Sequence, residues 1–554
     1  MAQETSGAKF LISALERQGT KLVFGLPGGS ILPIYDALRS NPKIRNVLVR
    51  HEAAASFMAD AYARVTGRTG VCIATVGPGA TNLTIGVAGS YFDSIPVLAI
   101  TGNIRTDFMG RNAQQDFDHV KLFEPITRWS VQARAAEELP RILGQAFGYL
   151  HAPRPGPVHL NVPVDVQTGK TEPKSFSCVD SPRIPTSVAS PDDFEEAVRL
   201  LISSERPVIW AGGGVISSGA SETLVRLAEV TGAPVATSYN GRGSIPEDHF
   251  LSIGRTGQFS PTFLSDILSE ADLILAVGFR FTDVSTSNWT LPKEDSKIIQ
   301  IDIDPTEFGK NVKPDLCITG DAKVVLEQLL CQVQKVIAPS NLQHKQWVRH
   351  IMELKSNWRK AVEEKARSDQ TPIKPQRIMK EFRHLLRRDA IVTAEAGFCK
   401  EWPSTYFEIY EPRTWIHPAG FTPMGYSLCA AIGAKLALPD RQVVAFTGDG
   451  AFQMVCHEII TAVENNANIP ICILNDSSLG MIRYIQKRSY GGRITATEFS
   501  RAPDFVKLAE SMGAQGRRVE DPKIIESSVR EALDAEGPFV LDFVIDREEV
   551  PGIP

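Results

Sequence analysis

Val443-Val444-Ala445-Phe446-Thr447-Gly448-Asp449-Gly450 is followed, after 24 residues, by Asn475-Asp476. The run 442–446 is apolar and β-branched, and Ile469–Leu474 is again continuously apolar, so both read as buried parallel strands. Between them, 451–468 has the length and composition of a helix with its turns. In open parallel sheets, ligands sit beyond the carboxyl ends of the strands. Asp449 and Asn475 therefore project into one site. A carboxylate, an amide oxygen and a backbone carbonyl from the turn after Asn475 suit Mg2+, which takes oxygen ligands in octahedral array. Gly448 and Gly450 let a ligand approach the backbone, and the helix start that follows favours an anion such as a diphosphate. The bland alternative is a plain strand turn. The spacing of Gly-Asp-Gly to Asn between two apolar strands argues against it.

At 554 residues, the chain exceeds a single core and divides into about three or four domains. Hydrophobic residues make up 43% and charged residues 22%, an ordinary globular composition. A net charge of −5 points away from nucleic acid and anionic membranes as partners. No apolar run reaches the roughly 18 residues of a membrane span. The start of the chain lacks a secretory pattern, and the eight cysteines are scattered without a CxxC pair. Neither a zinc site nor a disulfide framework is expected, and the expected setting is a reducing cytoplasm. Cys72 and Cys472, inside apolar runs, are expected in the core.

Helical and strand patterns alternate elsewhere too, which predicts an α/β protein of three doubly wound parallel-sheet domains. The first, 1–170, has a helix over 8–18 and strands at 22–24, 46–49, 71–75, 96–101 and 157–161. A Pro/Ser/Thr-rich linker spans 168–190. The second domain, 191–340, has strands at 207–211, 234–237, 272–277 and 298–301. Its Gly212-Gly213-Gly214 follows a strand without completing G-x-G-x-x-G, so a tight turn and a nucleotide site stand at even odds. A charged helical connector over 340–375 leads to the third domain, 376–547. The tail 547–554 is either mobile or covers a site. No short-period repeat is present.

Further motifs resemble the thiamine diphosphate (ThDP) enzymes of the acetolactate synthase and pyruvate oxidase group along nearly the whole chain. They include Arg50-His51-Glu52-Ala53-Ala54-Ala55, Gly77-Pro78-Gly79-Ala80-Thr81-Asn82, Arg154-Pro155-Gly156-Pro157-Val158 and Ile301-Asp302-Ile303-Asp304-Pro305. Met424-Gly425-Tyr426, Gly448-Asp449-Gly450 and Asn475 through Leu479-Gly480-Met481 complete the set. The resemblance implies the domain order pyrimidine-binding, central, diphosphate-binding. It implies that Glu52 hydrogen-bonds the cofactor's pyrimidine ring, with Gln115 as a second catalytic residue and Pro78 and Asn82 on the pyrimidine side. Met424 is expected beneath the cofactor, forcing its bent shape. Gly397, Gly450, Ala451, Leu479, Gly480 and Met481 are expected around the diphosphate and thiazolium. Asp449, Asn475 and the Ser477 carbonyl are the implied Mg2+ ligands. In the central domain, at Gly212, Gly213, Gly214 and Asp302, the resemblance slightly favours FAD over ADP, CoA or no ligand, although Gly257-Gln258-Phe259-Ser260-Pro261 departs from the flavin-contacting type.

The implied activity is decarboxylation of a 2-oxo acid, with pyruvate the first choice, and addition of the product to an acceptor carbonyl. Active sites between subunits of a homodimer or homotetramer are implied, as is a regulatory subunit. Departures fall in the acceptor pocket. Val164 replaces a Lys, an Arg is missing around Thr282-Asp283-Val284, Gln114 replaces a Phe and Ile485 replaces a Trp. Phe398-Cys399 replace a polar pair near the diphosphate. Val cannot replace a guanidinium on a carboxylate. The departures favour rivals within the same chemistry: a lyase, decarboxylase or acetyltransferase acting on a 2-hydroxyacyl-CoA, sulfoacetaldehyde or a bulky 2-oxo acid. A flavin-dependent oxidase and a non-catalytic binding protein are the remaining alternatives.

Overall fold

The computed structural model describes residues 5–171, 189–336 and 344–552. It contains three six-stranded sheets, all parallel, with helices between the strands. From edge to edge, the first sheet runs Arg45–Leu48, Leu22–Gly25, Gly70–Ala74, Val97–Asn103, Val158–Pro163, Trp129–Gln132. The third runs Trp415–Ile416, Ile391–Thr393, Val443–Gly448, Pro470–Asn475, Phe539–Val544, Gln515–Val519. Numbered within its own sheet, each has the order 2-1-3-4-6-5. The repeat that the sequence conceals is thus present in topology. The central sheet runs Ser252–Arg255, Val235–Thr237, Pro207–Ala211, Leu273–Val277, Lys297–Asp302, Leu316–Thr319, or 3-2-1-4-5-6. Ligands bind such sheets where strand order reverses. The reversals lie between Leu22–Gly25 and Gly70–Ala74, between Pro207–Ala211 and Leu273–Val277, and between Ile391–Thr393 and Val443–Gly448.

Most expected strands are present within a few residues. The sequence reading lacked Trp129–Gln132, Ser252–Arg255, Leu316–Thr319, Ile391–Thr393, Trp415–Ile416, Gln515–Val519 and Phe539–Val544. Several are edge strands with half-exposed residues and no continuous apolar run. The single helix expected over 451–468 is instead broken. Asp449–Val455 and Ile459–Glu464 are α-helical, with a 3₁₀ turn at Cys456–Glu458 between them. Glu458, at that break, is buried and accepts the backbone N–H groups of Arg50 and His51 at 2.9 and 3.0 Å. Lys170–Thr171, inside the expected linker, pairs antiparallel with Thr5–Ser6. Residues 172–188 of that linker lie outside the described residues. The charged connector is the helix Lys345–Ala366.

The first and third units share one apolar core. Its centre is the packing of helix Glu52–Thr66 on helix Tyr426–Ala437, each starting directly at a cofactor motif. Both are rich in small residues, which lets their backbones come close. A Cβ on Gly433 would stand 2.5 Å from the Met58 carbonyl oxygen. Phe57 and Tyr426 meet edge to face at 5.4 Å, and burying each ring contributes about 1.5–3 kcal/mol. The Tyr426 hydroxyl donates to Asp60 Oδ1, and Arg64 pairs with Asp60 and Asp93. The two motif-bearing helices are thereby held by packing and by a satisfied buried polar cluster.

Candidate active site

At the first reversal, Gly77 adopts φ 68° and starts the helix Pro78–Asp93. Glu52 opens its own helix and is buried, with 6% exposure. Its Oε2 accepts from Asn82 Nδ2 at 2.9 Å, while Oε1 would lie 3.2 Å from a Cβ on Gly79. The glycine therefore leaves room beside the carboxyl. Pro78 is exposed at the helix start. Gln115 has φ 65°, and its Cβ would be 2.9 Å from a Cβ on Gly77. Four predicted residues, Glu52, Pro78, Asn82 and Gln115, thus surround one turn.

Beneath that turn lies a buried relay that the sequence reading missed. His119 Nε2 accepts from Gly77 N at 3.4 Å. Thr101 Oγ1 lies 3.0 Å from His119 Nδ1 and 2.8 Å from His159 Nε2, and His159 Nδ1 lies 2.8 Å from Ser130 Oγ. Burial lowers the His119 pKa to about 4 and that of His159 well below the usual value. Both rings are neutral and set the turn by hydrogen bonding. Isolated histidines on scattered segments carried no signal of this.

At the third reversal, Asp449 starts its helix and is 1% exposed. Its Oδ2 is buried without a hydrogen-bond partner. Burial, followed by repulsion from Asp476, pushes its pKa to about 8. An unpaired buried carboxylate oxygen beside a second, half-buried carboxylate is a donor set that a cation neutralises. Asn475 ends the adjacent strand, and its Oδ1 accepts from Ser477 N at 3.1 Å. Ser477 has φ 53°, and its carbonyl accepts from Phe499 N at 2.9 Å. A cation at that carbonyl would use the oxygen's second lone pair. Among the described residues, no group of three or more His, Cys, Asp or Glu side chains could hold a metal. Any cation site here draws on amide and carbonyl oxygens as well.

The surrounding positions converge. A Cβ on Gly450 would meet Leu479 Cδ2 at 2.9 Å, so Leu479 lies over the Gly-Asp-Gly turn. Gly480 starts helix Gly480–Ser489, which carries Met481, and Ala451 is buried in the helix that Asp449 begins. Gly425 has φ 82° and packs against Val455, which places the half-buried Met424 next to that helix. Gly397, at φ 98°, caps helix Phe398–Tyr406. Glu395, missed by the sequence reading, is fully buried beneath this turn. It accepts from Thr447 Oγ1 and from Ser427 N, and burial raises its pKa to about 7.

The central reversal fits a dinucleotide poorly. Gly212 N and Gly214 N donate to the carbonyls of Val277 and Gly278 at 2.9 and 3.2 Å. A Cβ on Gly212 would stand 1.9 Å from Gly278 O. The triplet thus packs backbone against backbone, and two of its three N–H groups are already used. Asp302 is buried, with its pKa raised to about 6 by burial. Its Oδ1 accepts from Asp304 N, while Asp304 and Glu307 both pair with Arg154.

The departures from the family pattern are dispersed. Val164 starts a short helix, Val284 borders Gly257, Gln114 is exposed, and Ile485 is 40% exposed on helix Gly480–Ser489. The C-terminal tail is anchored through 552, where Gly552 N donates to Tyr406 OH at 3.1 Å.

Known proteins match this layout in order. The N-terminal TPP binding domain of thiamine pyrophosphate enzymes matches 5–122, their central domain matches 194–329, and their C-terminal TPP binding domain matches 395–543. A probable acetolactate synthase large subunit of Methanocaldococcus jannaschii is 41% identical over 99% of this chain and 93% of its own length. One from Methanococcus aeolicus is 39% identical over 98% and 92%. The acetolactate synthase large subunit of Corynebacterium glutamicum is 36% identical over 99% and 88%. With three domains matched in order and this identity along nearly the full length, the chain belongs to the thiamine pyrophosphate enzymes, in the acetolactate synthase large-subunit family.

Proposed function

We propose that the chain is a ThDP- and Mg2+-dependent carboligase that decarboxylates pyruvate and joins the two-carbon product to a second 2-oxo acid, as the names of its relatives suggest. The carrying observation is the pairing of buried Glu52, held by Asn82, with the unpartnered Asp449 Oδ2 at the equivalent reversals of two like sheets. ThDP, when bound, supplies the carbanion centre that attacks the carbonyl and accepts the electrons released as CO2 leaves. Glu52 Oε1, free of Asn82, would hydrogen-bond the pyrimidine ring, and Asn82 keeps the carboxyl from turning away. Asp449, Asn475 and the Ser477 carbonyl would hold Mg2+ against the diphosphate. Met424 would support the cofactor's bend, while Leu479 and Met481 would keep water from the reacting carbon. Glu52 and Asp449 act across subunits of a homodimer or homotetramer, so the isolated monomer is inactive. The large-subunit names of the relatives support a regulatory partner for this chain. No helix among the described residues is long and apolar enough to cross a membrane. The cytoplasmic setting of the proposal rests on the scattered cysteines alone.

The lyase and acetyltransferase readings are not favoured, since relatives across the full length carry the synthase name. FAD is the weaker element of the proposal. Asp302 at the central reversal supports it, and the consumed N–H groups of the glycine triplet count against it. Visible flavin absorbance of the purified chain decides the point. The test of the main reading is NMR detection of products from the chain with ThDP, Mg2+ and pyruvate. Acetolactate supports the proposal, and absence of any carbon–carbon coupled product overturns it.

A further inference from the structure

Helix Gly480–Ser489, which leaves the Asn475–Ser477 turn, faces the C-terminal tail across a cleft of about 320 Å³. Four cations line it, Arg483, Lys487, Arg488 and Arg547, beside the rings of Phe398 and Tyr484. Two carboxylates hold three of these cations in place. Glu548 pairs with Arg483 and Lys487, each at 2.7 Å, and Glu498 pairs with Arg483 at 3.1 Å and Arg547 at 3.5 Å. No carboxylate among the described residues pairs with Arg488, whose Nη1 donates only to Tyr484 OH at 3.2 Å. The Asp476 carboxylate also faces Arg483 and Arg547, so three carboxylates oppose four cations and the Arg488 guanidinium is the one left over. The cleft also adjoins the candidate site. Arg547 Nη2 donates to the Asp476 carbonyl at 2.8 Å, and Phe398 directly follows Gly397.

We propose that this cleft binds the oxyanion of a small molecule, a carboxylate or phosphate, with Arg488 as the principal contact. A guanidinium fork matches both groups, and the volume suits a small-molecule end group. The oxyanion belongs either to a substrate reaching the neighbouring centre or to a free anion acting beside it. Binding itself stands on the lining of the cleft. Assignment to the substrate rests on the carboligase reading.

The test is calorimetric titration of the full chain, already saturated with ThDP and Mg2+, with inorganic phosphate. Saturating the cofactor removes the diphosphate site as a competing target. Saturable binding is expected that weakens about tenfold or more in Arg488→Glu and by less in Arg488→Lys, which keeps the charge but not the fork. Arg517→Ala, at a half-buried position outside the cleft, leaves it unchanged. Arg488 is exposed, so the charge reversal spares the fold, and a melting curve checks this. Equal affinity in wild type and Arg488→Glu, or no saturable binding, overturns the proposal. Where phosphate binds, an increase in KM for pyruvate at constant kcat assigns the cleft to the substrate's carboxylate. A change in kcat at constant KM assigns it to a free anion. A chain that does not turn over pyruvate yet binds phosphate through Arg488 refutes the carboligase reading alone.

Discussion

Asn475 Nδ2 donates to Asp542 Oδ1 at 2.8 Å, and Arg518 Nη1 donates to Asp542 Oδ2 at the same distance. Asn475 and Asp542 stand on paired strands, where Ile473 is opposite Asp542 and Asn475 opposite Val544. They lie diagonally on one face of the sheet. The bond fixes the Asn475 amide so that its oxygen, not its nitrogen, turns toward Ser477 and the site. Outer groups of this kind orient the ligands of a metal.

Replacing Asp542 by Ala frees the amide to rotate and leaves Nδ2 buried without an acceptor. The expected result is a loss of Mg2+ affinity of roughly 10–100-fold. A Mg2+ titration of cofactor binding measures it. Unchanged affinity would show that the amide is held by the Ser477 turn alone.

Glu52→Gln preserves the size of the side chain and its contact with Asn82 while removing the carboxyl. Turnover is expected to fall by about 10²–10⁴-fold, with ThDP binding nearly retained. Steady-state kinetics beside a cofactor titration separates the two effects. Full activity would remove Glu52 from the catalytic assignment.

The buried His119 relay makes stability depend on pH. A pKa of about 4 in the folded chain, against about 6.5 when unfolded, means that the unfolded chain binds the extra proton. The neutral ring's contribution is fully present above the unfolded value and is lost as pH falls from about 6.5 to about 4, roughly 3 kcal/mol in all. His119→Gln should show a shallower loss of denaturation midpoint between pH 7 and pH 5 than the wild type. The comparison matters because buried Glu395 and Asp449 titrate with the opposite sign. Parallel pH profiles would mean that the imidazole is not the group responsible.

Gly212 and Gly213 distinguish packing from ligand binding in the central unit. A Cβ on Gly212 meets the rigid Gly278 carbonyl at 1.9 Å, whereas one on Gly213 meets Asn240 Cβ at 3.2 Å. Gly212→Ala is expected to cost about 1–3 kcal/mol or more, while Gly213→Ala costs well under that. Thermal melts of the two variants give the answer. Equal effects would be inconsistent with a purely structural turn.

Much of the architecture was legible from local pattern. Alternating apolar strands and helices marked out three doubly wound sheets, and Pro207–Ala211 is a strand with the bounds expected. Edge strands such as Gln515–Val519 escaped because half-exposed residues break the apolar run. The helix expected over 451–468 is interrupted where Glu458 turns to the backbone of Arg50 and His51, some 400 positions earlier. No local propensity encodes such a bond.

The chain's local chemistry placed Asp449 and Asn475 at the ends of neighbouring strands, because strand periodicity and glycine turns act over a few residues. It also marked Glu52 and Asn82 by their motifs. Folding supplied what surrounds them: Asp542 behind Asn475, the His119 relay beneath Gly77, Glu395 under the third turn and the cation excess around Arg488. These groups meet across strands, helices and the tail. Their proximity and protonation depend on burial and packing, which a linear pattern does not carry.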